Sequence, residues 1–185
     1  MATLDIIGSF VLGGLLLLTI LNLEATLVDT SYRNTMQLIA QESLAGLVEL
    51  IQYDFRKMGY GVPDPTASIL TMRSDEIEFL ADIDEDGDID TVRYAVSDTS
   101  LARMTPNPND RLLYRQINGQ PPEGDAWGVT ELSLRYFDAN GGETSTPSLV
   151  RAIQVSLTVE SPYGIGDEHI AVSWKGLFRP KNLPH

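Results

Sequence analysis

The chain contains no cysteine, which excludes disulfide scaffolds, thiolate zinc sites and thiol nucleophiles. An exported protein can do without disulfides, so the redox compartment stays open. Imidazole is nearly missing too, with only His169 and His185, which leaves little material for acid–base or metal chemistry. Positive charge is scarce: 13 Lys and Arg stand against 26 Asp and Glu, for a formal net charge of −13. Sequence-independent binding to phosphate backbones needs clustered cations, so no nucleic-acid partner is expected. GxSxG, HExxH and Walker sequences are absent, and no nucleophile–base pair or small-molecule site is identified. These absences argue against an enzyme. What is present, 43% apolar residues in a chain of 185, excludes general disorder and suits one domain, or one domain with an appendage.

The apolar residues are unevenly spread. From Ile6 to Leu23 the sequence IIGSFVLGGLLLLTILNL carries no charge and is bounded by Asp5 and Glu24. As a helix this run spans roughly 27 Å, close to a hydrocarbon core of ~30 Å. A cleavable signal peptide would open with a positive n-region, but the first basic residue is Arg33 and no A-x-A-like site closes the run. A buried core helix would keep a polar side, which four successive leucines deny. Membrane insertion is the better reading.

Beyond the run, the pattern narrows to one stripe: Val28, Tyr32, Met36, Ile39, Ser43 with Leu44, Leu47, Ile51, Phe55 and Met58, in steps of three and four. Arg33, Asn34, Gln37, Gln41, Glu42, Glu49 and Asp54 fall between them, on the expected solvent side. No proline precedes Pro63. The spacing therefore predicts one helix of about 55 residues, on the order of 80 Å long, stopping at Met58-Gly-Tyr-Gly-Val-Pro63. The expected division is a hydrophobic segment, 1–27, and a head, 28–185.

The remainder reads as strands. Ile153, Val155, Leu157 and Val159 alternate with polar residues, as do Leu132, Leu134 and Tyr136, and Ile170, Val172 and Trp174. Glu76–Ala81 and Ile89–Val96 suggest hairpin arms around an acidic turn. Turn clusters are expected at 105–110, 118–124 and 138–142. Half-buried alternation implies an antiparallel sheet with one covered face, and the amphipathic part of the helix is the obvious cover. His169 and the aromatics Trp127 and Trp174 are expected to be strand or sheet residues. The tail from Lys175 to His185, with Lys175, Arg179 and Lys181 and no acid, is expected to be a solvated terminus or a dock for an acidic neighbour. The fold class is α+β.

A long N-terminal helix of this two-part kind, followed by an antiparallel sheet, resembles the type IV pilin and pseudopilin family. Met1-Ala-Thr-Leu-Asp5 looks like a processed pilin terminus, with a carboxylate at the fifth position. Leu50-Ile-Gln-Tyr-Asp-Phe-Arg-Lys-Met-Gly-Tyr60 is similar to the helix end of PilW-type minor pilins and J-type pseudopilins. Glu76-Ile-Glu-Phe, the acidic run Asp82–Asp90, Val92-Arg-Tyr94 and Val129–Asp138 resemble the same proteins in the same order, as does the strand from Val150 to Val159. The fifth residue is Asp5 where most members have glutamate. Asn22 stands where major pilins commonly carry a kinking proline, which implies a straighter helix. The resemblance implies a structural subunit of a pilus-like filament or secretion pseudopilus, a minor pilin that primes or caps assembly. It would cross the bacterial inner membrane once before assembly and then stand in a cell-surface or periplasmic filament. Its partners would be other pilin or pseudopilin subunits, met through the N-terminal helix.

Under that resemblance the assembly residues are Met1, Asp5, Ser9, Gly13 and Gly14. The carboxylate of Asp5 is implied to pair with the α-amino group of a neighbouring subunit's first residue. An ionised group costs roughly 2.5–3.5 kcal/mol at the bilayer centre and less near its edge. The alternative is that Asp5 sits in headgroups, favoured by the helix dipole. Ser9 and Gly13 form a small-xxx-small pair suited to close helix contact. Gly13-Gly14 could equally be a soft point, since each glycine costs about 1 kcal/mol against alanine.

No cofactor is required by this reading, but one cluster suits a metal. Asp82, Asp84, Asp86, Asp88 and Asp90, with Gly87 sixth from Asp82, match the first half of an EF-hand loop, whose hard oxygens surround Ca²⁺. Position twelve is Arg93 rather than a bidentate glutamate, and the flanks are strand-like. The other reading is an acidic β-turn in which Asp and Gly satisfy tight geometry. The rival to a filament subunit is accordingly a single-pass, membrane-anchored extracytoplasmic binding domain, with Ca²⁺ or a ligand on the acidic loop or sheet.

Overall fold

In the computed structural model, helix α1 runs without interruption from Ala2 to Lys57. The structure describes all residues except Met1, Arg103, Met104, Pro122, Ala126, Trp127, Ile165, Asp167 and His185, and of residues 2, 4, 5 and 123–125 only the backbone. Two compact units result, Met1–Met36 and Gln37–His185.

In the first unit, the helix from Ile6 to Leu23 is apolar and exposed, with Phe10 78% and Leu16 61% exposed, whereas Met36 at the end of the unit is buried. Val28 and Tyr32, at the start of the expected stripe, are also exposed.

In the second unit, the remaining helix buries Ala40, Leu47, Ile51 and Phe55, and Met58 just past its end is buried too. These spacings of seven, four, four and three trace one face of a 3.6-residue helix. The cover they meet is two antiparallel sheets, where the sequence pattern predicts one. The first is a five-stranded meander of β1 (Ile69–Met72), β2 (Glu76–Ala81), β3 (Asp90–Val96), β4 (Leu113–Ile117) and β5 (Glu123–Asp125). The second joins β6 (Val129–Phe137), β7 (Ala152–Glu160) and β8 (Ala171–Phe178). Alternation does its expected work in β2, where Ile77, Phe79 and Ala81 are buried, and in β7, where Ile153, Val155, Leu157 and Val159 are. The two sheets are tied through connecting segments, by Leu134 N–H to Ser74 O at 2.7 Å and the Tyr136 hydroxyl to Arg73 O at 2.8 Å.

Phe55 is the hub. Its ring lies 5.7 Å from Phe79 of β2, 5.9 Å from Tyr94 of β3 and 5.3 Å from Phe178 of β8, each edge to face. One side chain of α1 thus bridges both sheets, and such pairs add to simple burial.

Three expectations need correction. β5 occupies part of the stretch expected as a turn, because Glu123, Gly124 and Asp125 are strand only by pairing with Arg115, Tyr114 and Leu113; their own β propensity is low. The C-terminal tail is folded rather than solvated: Leu183 is buried, and the Asn182 amide reaches the carbonyls of Arg56 and Met58, both at 3.4 Å. It helps satisfy the open carbonyls of the helix end, where Gly59 takes a φ of 78°. The third concerns Asp54, described below.

Candidate functional site

The assembly residues expected from the sequence fall in the first unit. Met1 lies outside the described residues, and only the helical backbone of Asp5 is described. Ser9 is helical and its hydroxyl donates to Ile6 O at 3.0 Å. A Cβ built on Gly13 or Gly14 would meet nothing within 4 Å, so both sit on open helix surface that another helix could approach. The α1 helix is long and apolar enough to cross a membrane, and none of its apolar window is buried.

The acidic loop joins β2 to β3. Its two ends are buried, Asp82 and Asp90, and the stretch from Asp84 to Asp88 is exposed. Asp90 is fully engaged: Oδ2 accepts from Ile83 N at 3.1 Å and Oδ1 from the Asn118 amide at 2.6 Å. Asp82 Oδ2 accepts from Gly87 N at 3.2 Å, while its Oδ1 is buried with no hydrogen-bond partner. Glu85 and Gly87 adopt left-handed φ values of 67° and 97°, a conformation natural to glycine and costly for glutamate. Asp82, Asp84 and Asp86 come together, each offering a carboxylate oxygen within 4.8 Å of the others. Asp88 and Asp90 stand outside that trio. The loop is anchored to the end of α1 by Asp82 N–H to Tyr60 O at 2.9 Å and by Lys57 Nζ to Ile83 O at 2.6 Å. Lys57 also pairs with Glu85 at 3.0 Å.

A second charged cluster escaped sequence reasoning. Asp54, placed by the stripe on the solvent side, is completely buried. Its Oδ2 accepts from the Tyr94 hydroxyl at 2.5 Å and from Arg115 Nε at 2.6 Å, and Oδ1 accepts from Arg115 Nη2 at 3.0 Å. The two-pronged contact with Arg115 is the geometry guanidinium and carboxylate favour. Burial, and then the Asp54 charge, push the Tyr94 hydroxyl far above the usual tyrosine range. The hydrogen bond from Arg115 to Asp54 pushes the guanidinium above its own ordinary value. Both Asp54 oxygens are engaged, by Tyr94 of β3 and Arg115 of β4, so the triad fastens α1 to those two strands. Nothing in its local sequence marks it, because the partners lie 40 and 61 residues from Asp54.

His169 directs Nδ1 to Ser161 O at 2.8 Å, which commits one ring nitrogen to the main chain. A surface depression lined by Phe137, Asp138, Arg151, Leu177, Arg179 and Lys181 among others does not include it. Trp174 is half-buried against Phe178, with ring centres 5.9 Å apart, whereas Trp127 lies outside the described residues. Comparison with family models, curated proteins and solved structures finds no match to this chain.

Proposed function

We propose that this chain is a structural subunit of a type IV pilus-like filament or secretion pseudopilus, of the minor-pilin kind that primes or caps assembly. The observation that carries the reading is one helix used in two ways. Residues 37–57 of α1 lay Ala40, Leu47, Ile51 and Phe55 into a packed core, whereas Ile6–Leu23 are helical and exposed throughout. Apolar surface of that extent needs lipid or other apolar helices around it. A subunit that waits in a membrane and then bundles with like helices uses both. The arrangement of one long N-terminal helix packed against antiparallel sheets is consistent with a pilin-like fold. The small residues Ser9, Gly13 and Gly14 would then admit close helix contacts, and the carboxylate of Asp5 would pair with the first residue of a neighbouring subunit.

The intact mass of the native protein, taken separately from sheared surface material and from membranes, tests this. A chain starting at Met1 with one added N-methyl group in the sheared fraction is the expected result. An unmethylated chain confined to membranes would overturn it in favour of an anchored binding domain. Asp5→Ala should leave the protein in the membrane and remove it from filaments.

A further inference from the structure

The filament reading makes no use of the acidic loop, yet the loop holds an electrostatic arrangement that nothing else in the fold resolves. Among the described residues, no ion pair reaches Asp82, Asp84, Asp86, Asp88 or Asp90, and the one cation bonded to the loop, Lys57, goes to Glu85 and a backbone carbonyl. Three like charges held this close oppose one another.

Asp82 supplies an independent sign. Its side chain is anchored by Gly87 N on Oδ2 and so faces the loop that carries Asp84 and Asp86, yet Oδ1 is buried with no donor. The residue is only 6% exposed, so water offers little relief. Asp90, at the other end of the loop, shows the contrasting solution: both of its oxygens accept N–H groups. A buried carboxylate oxygen without a donor calls for a partner from outside the chain, and beside two further carboxylates a cation answers both the missing bond and the repulsion.

We infer that Asp82, Asp84 and Asp86 bind a single Ca²⁺, which fastens the β2–β3 hairpin to the end of α1. The size fits. Oxygens around one Ca²⁺ lie about 2.3–2.6 Å from it, so any two are at most ~5 Å apart; the three carboxylates already offer oxygens within 4.8 Å of one another. Flexible all-oxygen coordination suits Ca²⁺ better than Mg²⁺, which demands near-ideal octahedral geometry. The bidentate glutamate of an EF-hand is missing: position twelve is Arg93, committed to Glu76 at 2.7 Å. The site therefore belongs to the weaker, extracellular class, with a Kd of about 10⁻⁴–10⁻³ M. Its leverage on the fold comes from Asp82 N–H on Tyr60 O and from Gly61, where a Cβ would come within 3.1 Å of Asp82 Cβ. Calcium would act here as a clasp and not as a catalyst.

The test uses the full chain in detergent micelles, stripped of metal with a chelator. Thermal melting is followed during titration with CaCl₂, and with MgCl₂ and NaCl at matched ionic strength. The expected result is a saturable rise with a midpoint of about 10⁻⁴–10⁻³ M, reaching roughly 3–8 °C, with Mg²⁺ and Na⁺ giving only a small part of it. Asp84→Asn and Asp86→Asn change exposed residues and so leave folding intact. Each should abolish the Ca²⁺-dependent rise while melting no lower than the parent in chelator, since each relieves repulsion. A rise with Ca²⁺ no larger than with Mg²⁺ and Na⁺, or one retained in full by both variants, would overturn the site. The outcome is independent of whether the protein enters filaments.

Discussion

Two stretches of a single helix show how little secondary structure says about burial. Both are α-helical, leucine-rich and free of proline, yet Phe10 is 78% exposed and Phe55 only 2%. The difference lies in what each stretch is offered. From Ala40 onward, one face meets β2, β3 and β8, and the opposite face keeps charged residues such as Glu49 and Arg56 in water. Between Ile6 and Leu23 there is no polar face to spare, and no part of the apolar window is buried among the described residues. The first stretch is built for an apolar surrounding, the second for a seam.

The largest effect should come from breaking the seam. Phe55→Ala removes the ring that touches both sheets and should cost roughly 3–5 kcal/mol of unfolding free energy in chemical denaturation. Phe10→Ala, the same change on the uncovered stretch, should move it by less than about 0.5 kcal/mol. Equal losses would mean that the two stretches are not distinct environments.

Asp54→Ala comes next. It strands Arg115 and Tyr94 without their acceptor, and breaking a buried pair from one side costs about 3–5 kcal/mol. Replacing all three polar groups together, as Asp54→Leu with Arg115→Met and Tyr94→Phe, should recover most of that loss in the same assay. A triple variant as weak as the single one would show that the triad does more than join α1 to β3 and β4.

On the apolar stretch the matching experiment is Leu16→Arg. It should reduce membrane insertion, at a cost of roughly 2.5–3.5 kcal/mol, and leave the melting of the head unchanged. Fractionation and melting together separate the two effects.

The smallest expected effect is one of pH. Burial pushes the Asp110 carboxyl above the ordinary aspartate range; a hydrogen bond to Thr105 opposes the shift, and the Glu160 charge adds to it. The native state then holds this proton to higher pH than the unfolded chain does. The stability contributed is complete below the ordinary aspartate value of about 3.9 and is lost as pH rises through the raised one. Asp110→Asn should therefore melt slightly higher than the parent at pH 7, with the gap closing toward pH 4. Asp64 and Asp98 work in the opposite sense. Their carboxyls are lowered by hydrogen bonds to Thr66 and Ser100, so their contribution is present above the ordinary value and fades as pH falls through the lowered one.

The calcium clasp divides along similar lines between what was readable and what was not. The spacing of Asp82, Asp84, Asp86 and Gly87 is visible in the letters. That Asp90 is engaged on both oxygens, and that Asp82 keeps one buried oxygen unpartnered, depends on Asn118 and on the path of the hairpin. Likewise β1 and β4 went unrecognised because short apolar runs without clear alternation can be strand, helix or loop. β7 and most of β6 were legible because Ile153–Val159 and Leu132–Tyr136 alternate strictly, whereas the register shift between Val129 and Glu131 interrupts the start of β6.

By itself the sequence determined the helix from end to end, its stop at Gly59, the lipid-like run and the alternating strands. Each of these follows from local sterics or from a repeat carried by neighbouring residues. Only the tertiary structure decided that there are two sheets and not one, that Phe55 bridges them, that Asp54 is buried in a triad and that the C-terminal tail covers the helix end. Those depend on partners tens of residues away, and no local pattern encodes which distant side chain will be in reach when the chain closes.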